Sequence, residues 1–127
     1  MSPKKIIANK VVVITGVGRG LGRAMAKEFV AQGHCVAGCS RNDKKLLSLE
    51  KELGGPNIFS RVNVTDDSSV KQWAENVIKE LGAPDLLLNN AALINTNRFL
   101  WDLSAKEFDE VVDVNIKGVA NVIRHFV

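Results

Sequence analysis

Lys10-Val-Val-Val-Ile-Thr-Gly-Val-Gly-Arg-Gly-Leu-Gly22 is the stretch that decides the fold. A β-branched run, fit for a strand buried on both faces, breaks into glycines and re-forms as an amphipathic helix from about Leu21. Glycines let the main chain come close to a pyrophosphate, and the first-turn N–H groups with the helix dipole supply the attraction. The stretch is therefore built to hold a nucleotide. No Gly-Lys-Ser/Thr follows the glycines, which speaks against a P-loop NTPase.

Outward from this turn, strand and helix signals alternate. Leu21–Gln32 reads as a helix with Leu21, Met25, Phe29 and Val30 on one side and Gly33 as its stop. His34–Ser40 is a second strand, Asp43–Leu53 a helix closed by Gly54-Gly55-Pro56, and Ile58–Asn63 a third strand. Asp66 or Asp67 caps a helix whose Val70, Trp73, Val77, Ile78 and Leu81 point inward. Gly82-Ala83-Pro84 ends it, Asp85–Asn89 is a fourth strand, and Asn90–Leu103 is a loop. Ser104 with Glu107 forms a capping box for a last long helix, with Phe108, Val111, Val112, Val119, Val122 and Ile123 inward. Such alternation means parallel strands with right-handed crossovers, here the first half of a doubly wound sheet in the order 3-2-1-4. The chain closes with Arg124-His125-Phe126-Val127 inside an apolar-striped helix, and Leu86-Leu87-Leu88 would form an open edge. It reads as half a sheet: a single, C-terminally incomplete domain over residues 1–127.

Composition narrows the class. Among 127 residues, 46% hydrophobic and 24% charged is ordinary for a globular domain, and the net charge of +3 is scattered among acids. Lys4-Lys5 is the one basic pair near a terminus, and no recognition-helix, RNP-like or zinc-ligand pattern occurs, so neither nucleic acid nor a metal is expected. The N-terminus is too short in apolar residues for a signal peptide, and no stretch approaches a membrane span. Cys35 and Cys39, about 13 Å apart if they share a strand, cannot bond to each other. Both read as small buried hydrophobes, consistent with a reducing, cytoplasmic location.

Four marks in order then resemble the short-chain dehydrogenase/reductase family. They are Thr15-Gly16-Val17-Gly18-Arg19-Gly20-Leu21-Gly22, matching Thr-Gly-x-x-x-Gly-x-Gly, then Asn63-Val64-Thr65-Asp66, Asn89-Asn90-Ala91-Ala92 and Val114-Asn115-Ile116-Lys117-Gly118. The resemblance runs from about Ile6 to Val127. It implies a Rossmann-type fold and a dinucleotide held by Gly16, Gly18, Arg19, Gly20, Leu21, Gly22, Ser40, Arg41, Asn63, Val64, Asn90, Ala91 and Ala92. An NAD site places an acid at the end of the second strand to bind the ribose 2′-OH. This strand ends Cys39-Ser40-Arg41-Asn42, and Arg41, Ser40 and Arg19 suit a 2′-phosphate instead, so NADP(H) is expected over NAD(H). Asn63 stands where the family has Asp facing the adenine amino group, and its amide oxygen is expected to accept that hydrogen bond. Ala92 replaces a glycine beneath the ribose. Asn115 matches the family's helix asparagine, which holds a water linked to the catalytic lysine; bonding within a helix kink is the compatible structural role.

The family transfers hydride between nicotinamide and a small-molecule carbonyl or alcohol, with a tyrosine as general acid/base, a nearby lysine and a serine. This sequence contains no tyrosine. His34 reads as a structural or surface residue, His125 as a favourable partner of the helix dipole at its C-terminus, Trp73 as core, and Trp101 either as a cover for substrate or as packing against the last helix. Two functions are carried forward: the NADP(H)-binding part of a short-chain oxidoreductase, inactive as it stands, or a non-catalytic short form that binds NADP(H) or pairs with a full-length subunit as a regulator. The exposed apolar face of the last helix makes self-association a further expectation.

Overall fold

The computed structural model describes residues 10–94 and 97–127. Lys4-Lys5 and the start of the resemblance at Ile6 lie outside them. Strands β1 (Val11–Thr15), β2 (Cys35–Ser40), β3 (Ile58–Arg61) and β4 (Leu86–Leu88) form one parallel sheet in the order β3-β2-β1-β4. Helices α1 (Gly20–Ala31), α2 (Asp43–Leu53) and α3 (Asp67–Leu81) follow the first three strands. After β4 come a 3-10 turn (Leu100–Asp102), α4 (Ala105–Val112), a π-helical turn (Asp113–Gly118) and α5 (Val119–Phe126).

β1 is buried along its whole length, because a neighbour pairs on each side and helices cover both faces. One apolar layer joins Val12, Ile14, Val36, Leu49 and Phe59 with Met25 and Phe29 of α1. The other joins Val13, Ala37, Val70, Trp73, Val122 and Phe126, with Trp73 and Phe126 edge-to-face at 4.9 Å between centroids. Asp85 fixes the register of the short β4: its N–H donates to Val11 O and its carboxylate accepts from Val11 N–H, both at 2.8 Å. Between β1 and β4 the chain order reverses, the position at which open α/β sheets bind ligands.

The differences from expectation are local. β3 ends at Arg61 rather than Asn63, because Asn63 turns the chain: its carbonyl accepts from Asp66 N–H and its side chain from Thr65 N–H. β4 spans Leu86–Leu88 rather than Asp85–Asn89, and the single long helix is two α-helices joined by a π turn. Leu21, Ile78, Phe108 and Ile123, all expected inside, are exposed. Leu21 stands in the first turn of α1, beyond the apolar layers, and Ile78 borders a groove with Arg124 and His125. α4, with Phe108, buries no residue, since no strand lies beyond β4 among the described residues. Cys39 is buried but Cys35, at the start of β2, is only half-buried. No helix among the described residues is long and apolar enough to cross a membrane.

Candidate functional site

The strands β1, β2 and β3 end on one side, and the loops that leave them surround a cleft of about 860 Å³. Gly16, Gly18, Arg19 and Gly20 line it from the first turn, Ser40 and Arg41 from the end of β2, Asn63 and Val64 from the end of β3, and Asn90, Ala91 and Ala92 from the loop after β4. Three of the four sequence marks thus converge with the end of β2 on one place, although they are spread over 77 positions, from Gly16 to Ala92, and the fourth mark adds only Val114.

The turn after β1 is held shut against the loop after β4. Ala91 N–H donates to the Thr15 hydroxyl at 2.9 Å and Asn90 Nδ2 to Gly16 O at 3.1 Å. Gly16 has φ +74°, a conformation that favours glycine, and a Cβ there would lie 3.0 Å from Ala91 Cα. A Cβ on Gly22 would stand only 2.0 Å from Gly16 O. Asn90 and Ala91 therefore spend these polar groups on building the floor of the cleft. Gly18 packs on Ser40, whose Oγ would lie 2.7 Å from a Cβ at that position.

Among the α-helices entered from a loop rather than from a preceding helical turn, as α5 is, the helix ends distinguish this cleft. The N-termini of α2, α3 and α4 are each capped by a side chain, that of Asn42, Asp66 and Ser104 respectively. α1 has no side-chain cap and no acid in its first turn. Its leading N–H groups open beside the glycine wall, where an anion can satisfy them.

The wall at the end of β2 is cationic. Among the described residues neither Arg19 nor Arg41 has an ion-pair partner. Lys44 and Lys45, from the first turn of α2, join them on the wall; sequence reasoning passed over both, although they stand only three and four residues after Arg41. The one carboxylate on this wall, Asp43, pairs with Arg61 at 3.3 Å. Ser40 Oγ accepts from Asn42 N–H at 3.1 Å, leaving its own proton to donate outward. Cys39 reaches the cleft from the sheet, but burial pushes its thiol up to about 12, outweighing the opposing Gly16 N–H, so it is a neutral wall.

Other expected residues fall elsewhere. Leu21 and Gly22 stand in the first turn of α1 and are not part of the cleft lining, and Asn115 sits in the π turn. The Asn115 amide accepts from Leu93 N–H and donates to Leu93 O, each at 2.8 Å, and Leu93 lines the cleft. Asn63 departs from expectation, since its Oδ1 already accepts from Thr65 N–H at 3.1 Å and from the Thr65 hydroxyl at 2.7 Å. His34 is half-buried near Phe29, with no hydrogen bond at Nδ1, and His125 contacts Asp67 at 2.8 Å. Trp101 stacks on Phe99 with ring centroids 4.7 Å apart, and both rings are exposed.

A profile of the family described as short chain dehydrogenase matches residues 10–127. An NADPH-dependent pterin aldehyde reductase of Arabidopsis thaliana is 45% identical over 124 residues, covering 96% of this chain and 51% of that protein. A short chain dehydrogenase/reductase of Burkholderia phymatum, crystallised with NAD, superposes with TM-score 0.88 at 33% identity, over 94% of this chain and 43% of the other. A 3-ketoacyl-(acyl-carrier-protein) reductase of Brucella melitensis, complexed with NADH, gives TM-score 0.88 at 29% identity, over 92% and 48%. The chain spans about half the length of the curated relatives it matches.

Proposed function

The chain belongs to the short-chain dehydrogenase family, and from that premise we propose that it is the NADP(H)-binding part of an oxidoreductase that reduces a carbonyl or oxidises an alcohol. The observation that carries this reading is the unpaired cationic wall of Arg19 and Arg41 beside the uncapped N-terminus of α1. The α1 N–H groups and the glycine wall hold the pyrophosphate. Arg41 and Arg19, with the Ser40 hydroxyl, hold the 2′-phosphate by charge and by the fork geometry of guanidinium. Asn90, Ala91 and Ala92 form the floor on which the nicotinamide half rests. The bound cofactor supplies or accepts a hydride.

The name of the Arabidopsis thaliana relative, an NADPH-dependent reductase of a pterin aldehyde, supports both NADP(H) and an aldehyde as the substrate class of the whole protein. The tyrosine that serves the family as proton donor has no counterpart among these 127 residues. In this reading the chain supplies the binding half of the reaction and not its proton. Arg41→Asp tests the assignment by titration calorimetry: NADP⁺ affinity falls by about tenfold or more, while NAD⁺ affinity holds or rises. Equal loss of both would count against it.

A further inference from the structure

The Asn63 amide has two ends, and the fold has already used one of them. Thr65 N–H can only donate, so the atom that faces it is the carbonyl oxygen, and the Thr65 hydroxyl donates to that same oxygen. Two donors occupy both lone pairs of Oδ1. What remains is Nδ2, which has no hydrogen-bond partner among the described residues, on a residue that is exposed and lines the cleft. An amide nitrogen donates and cannot accept. Turning the amide over would set its NH2 group against the Thr65 N–H, donor against donor, and would undo the turn that ends β3.

The sheet order says what this donor meets. The cleft runs from the phosphate ground at the end of β1, past the cationic wall at the end of β2, to Asn63 and Val64 beyond β3. A dinucleotide with its pyrophosphate at α1 and its adenosine ribose at the end of β2 lays its base against Asn63. The exposed edge of adenine carries an amino group, a donor, beside the acceptor N1. Hypoxanthine carries a carbonyl oxygen at the position of that amino group, beside a protonated N1.

We infer that the base subsite of this chain offers a donor where recognition of the adenine amino group needs an acceptor. It therefore discriminates little between adenine and a base with a carbonyl at the same position. Asn63 is the specificity-determining residue, and the inference rests on the dinucleotide reading of the cleft. An Asp at this position would keep one oxygen for Thr65 and turn the other outward as an acceptor, restoring a preference for adenine.

The test is titration calorimetry of the full chain with NADP⁺ and with its hypoxanthine analogue, on the wild type and on Asn63→Asp. The wild type binds the two with affinities within about threefold of each other, and Asn63→Asp favours the adenine form by about tenfold. A wild type that prefers adenine by about tenfold overturns the inference while leaving the cleft assignment standing, as does a variant whose ratio is unchanged. Failure of either dinucleotide to bind overturns the cleft assignment and this inference with it. Should the variant not fold, the wild-type ratio alone decides.

Discussion

Gly22 has no room for a methyl group. A Cβ there would stand 2.0 Å from Gly16 O and 2.8 Å from Gly16 C, both main-chain atoms that cannot swing aside, and 2.5 Å from Asn90 Nδ2. Gly22→Ala must therefore push α1 away from the turn after β1 and strain the bond between Asn90 and Gly16. Denaturant unfolding should show a loss of about 1–3 kcal/mol, the usual cost of forcing extra volume into a packed site. The cleft should weaken for any nucleotide at the same time. Arg19 and Arg41 are the opposite case: exposed and without an ion-pair partner among the described residues, they tie no elements together there, so their removal should leave the unfolding midpoint nearly unchanged. The glycine spacing and the two arginines were legible in the sequence because each follows from a local rule. The engagement of Asn63 Oδ1 was not, since a side chain's choice between a ligand and its own turn depends on the geometry of Thr65 two residues on.

At the scale of elements, the last helix is where periodicity misled. A π turn over Asp113–Gly118 inserts extra chain and rotates the apolar stripe, so α4 and α5 do not share one inward face. That turn also presents Asn115 to Leu93, with two hydrogen bonds of 2.8 Å between side chain and main chain. Asn115→Ala should cost about 1–2 kcal/mol and speed amide exchange at Leu93, which would loosen that wall of the cleft.

Two exposed carboxylates tie helices together. Asp67, at the start of α3, meets His125 and Arg124 of α5, and hydrogen bonding to His125 is the largest cause holding its carboxyl below the usual 3.8. Glu52 of α2 meets Lys27 and Arg23 of α1 and is likewise held low, first by Lys27. A carboxyl depressed in the folded state adds stability that is fully present above its unfolded pKa and is lost as pH falls through the folded one. Unfolding titrations should therefore show an acid-side loss of stability that begins below about pH 5. Asp67→Asn and Glu52→Gln should each make that limb shallower, and added salt should shrink the difference.

Over the whole molecule, the sheet order, the helices following β1, β2 and β3, and the position of the cleft were readable from sequence, because binary patterning and glycine turns act locally and agree with one another. Burial at the margins was not. Phe108 and Ile123 carry an inward pattern but lie exposed on α4 and α5, and only three-dimensional placement shows what covers a face. The cationic wall likewise grew from two arginines to include Lys44 and Lys45 once α2 was set beside the end of β2. In the proposed function this wall and the uncapped end of α1 select a dinucleotide with a 2′-phosphate. The most direct measurement is calorimetric titration of the unmodified chain with NADP⁺ and NAD⁺ at equal, moderate ionic strength. NADP⁺ should bind more tightly by about tenfold or more, with the advantage shrinking as salt rises. An NAD⁺ affinity equal to or above that for NADP⁺ would contradict the account.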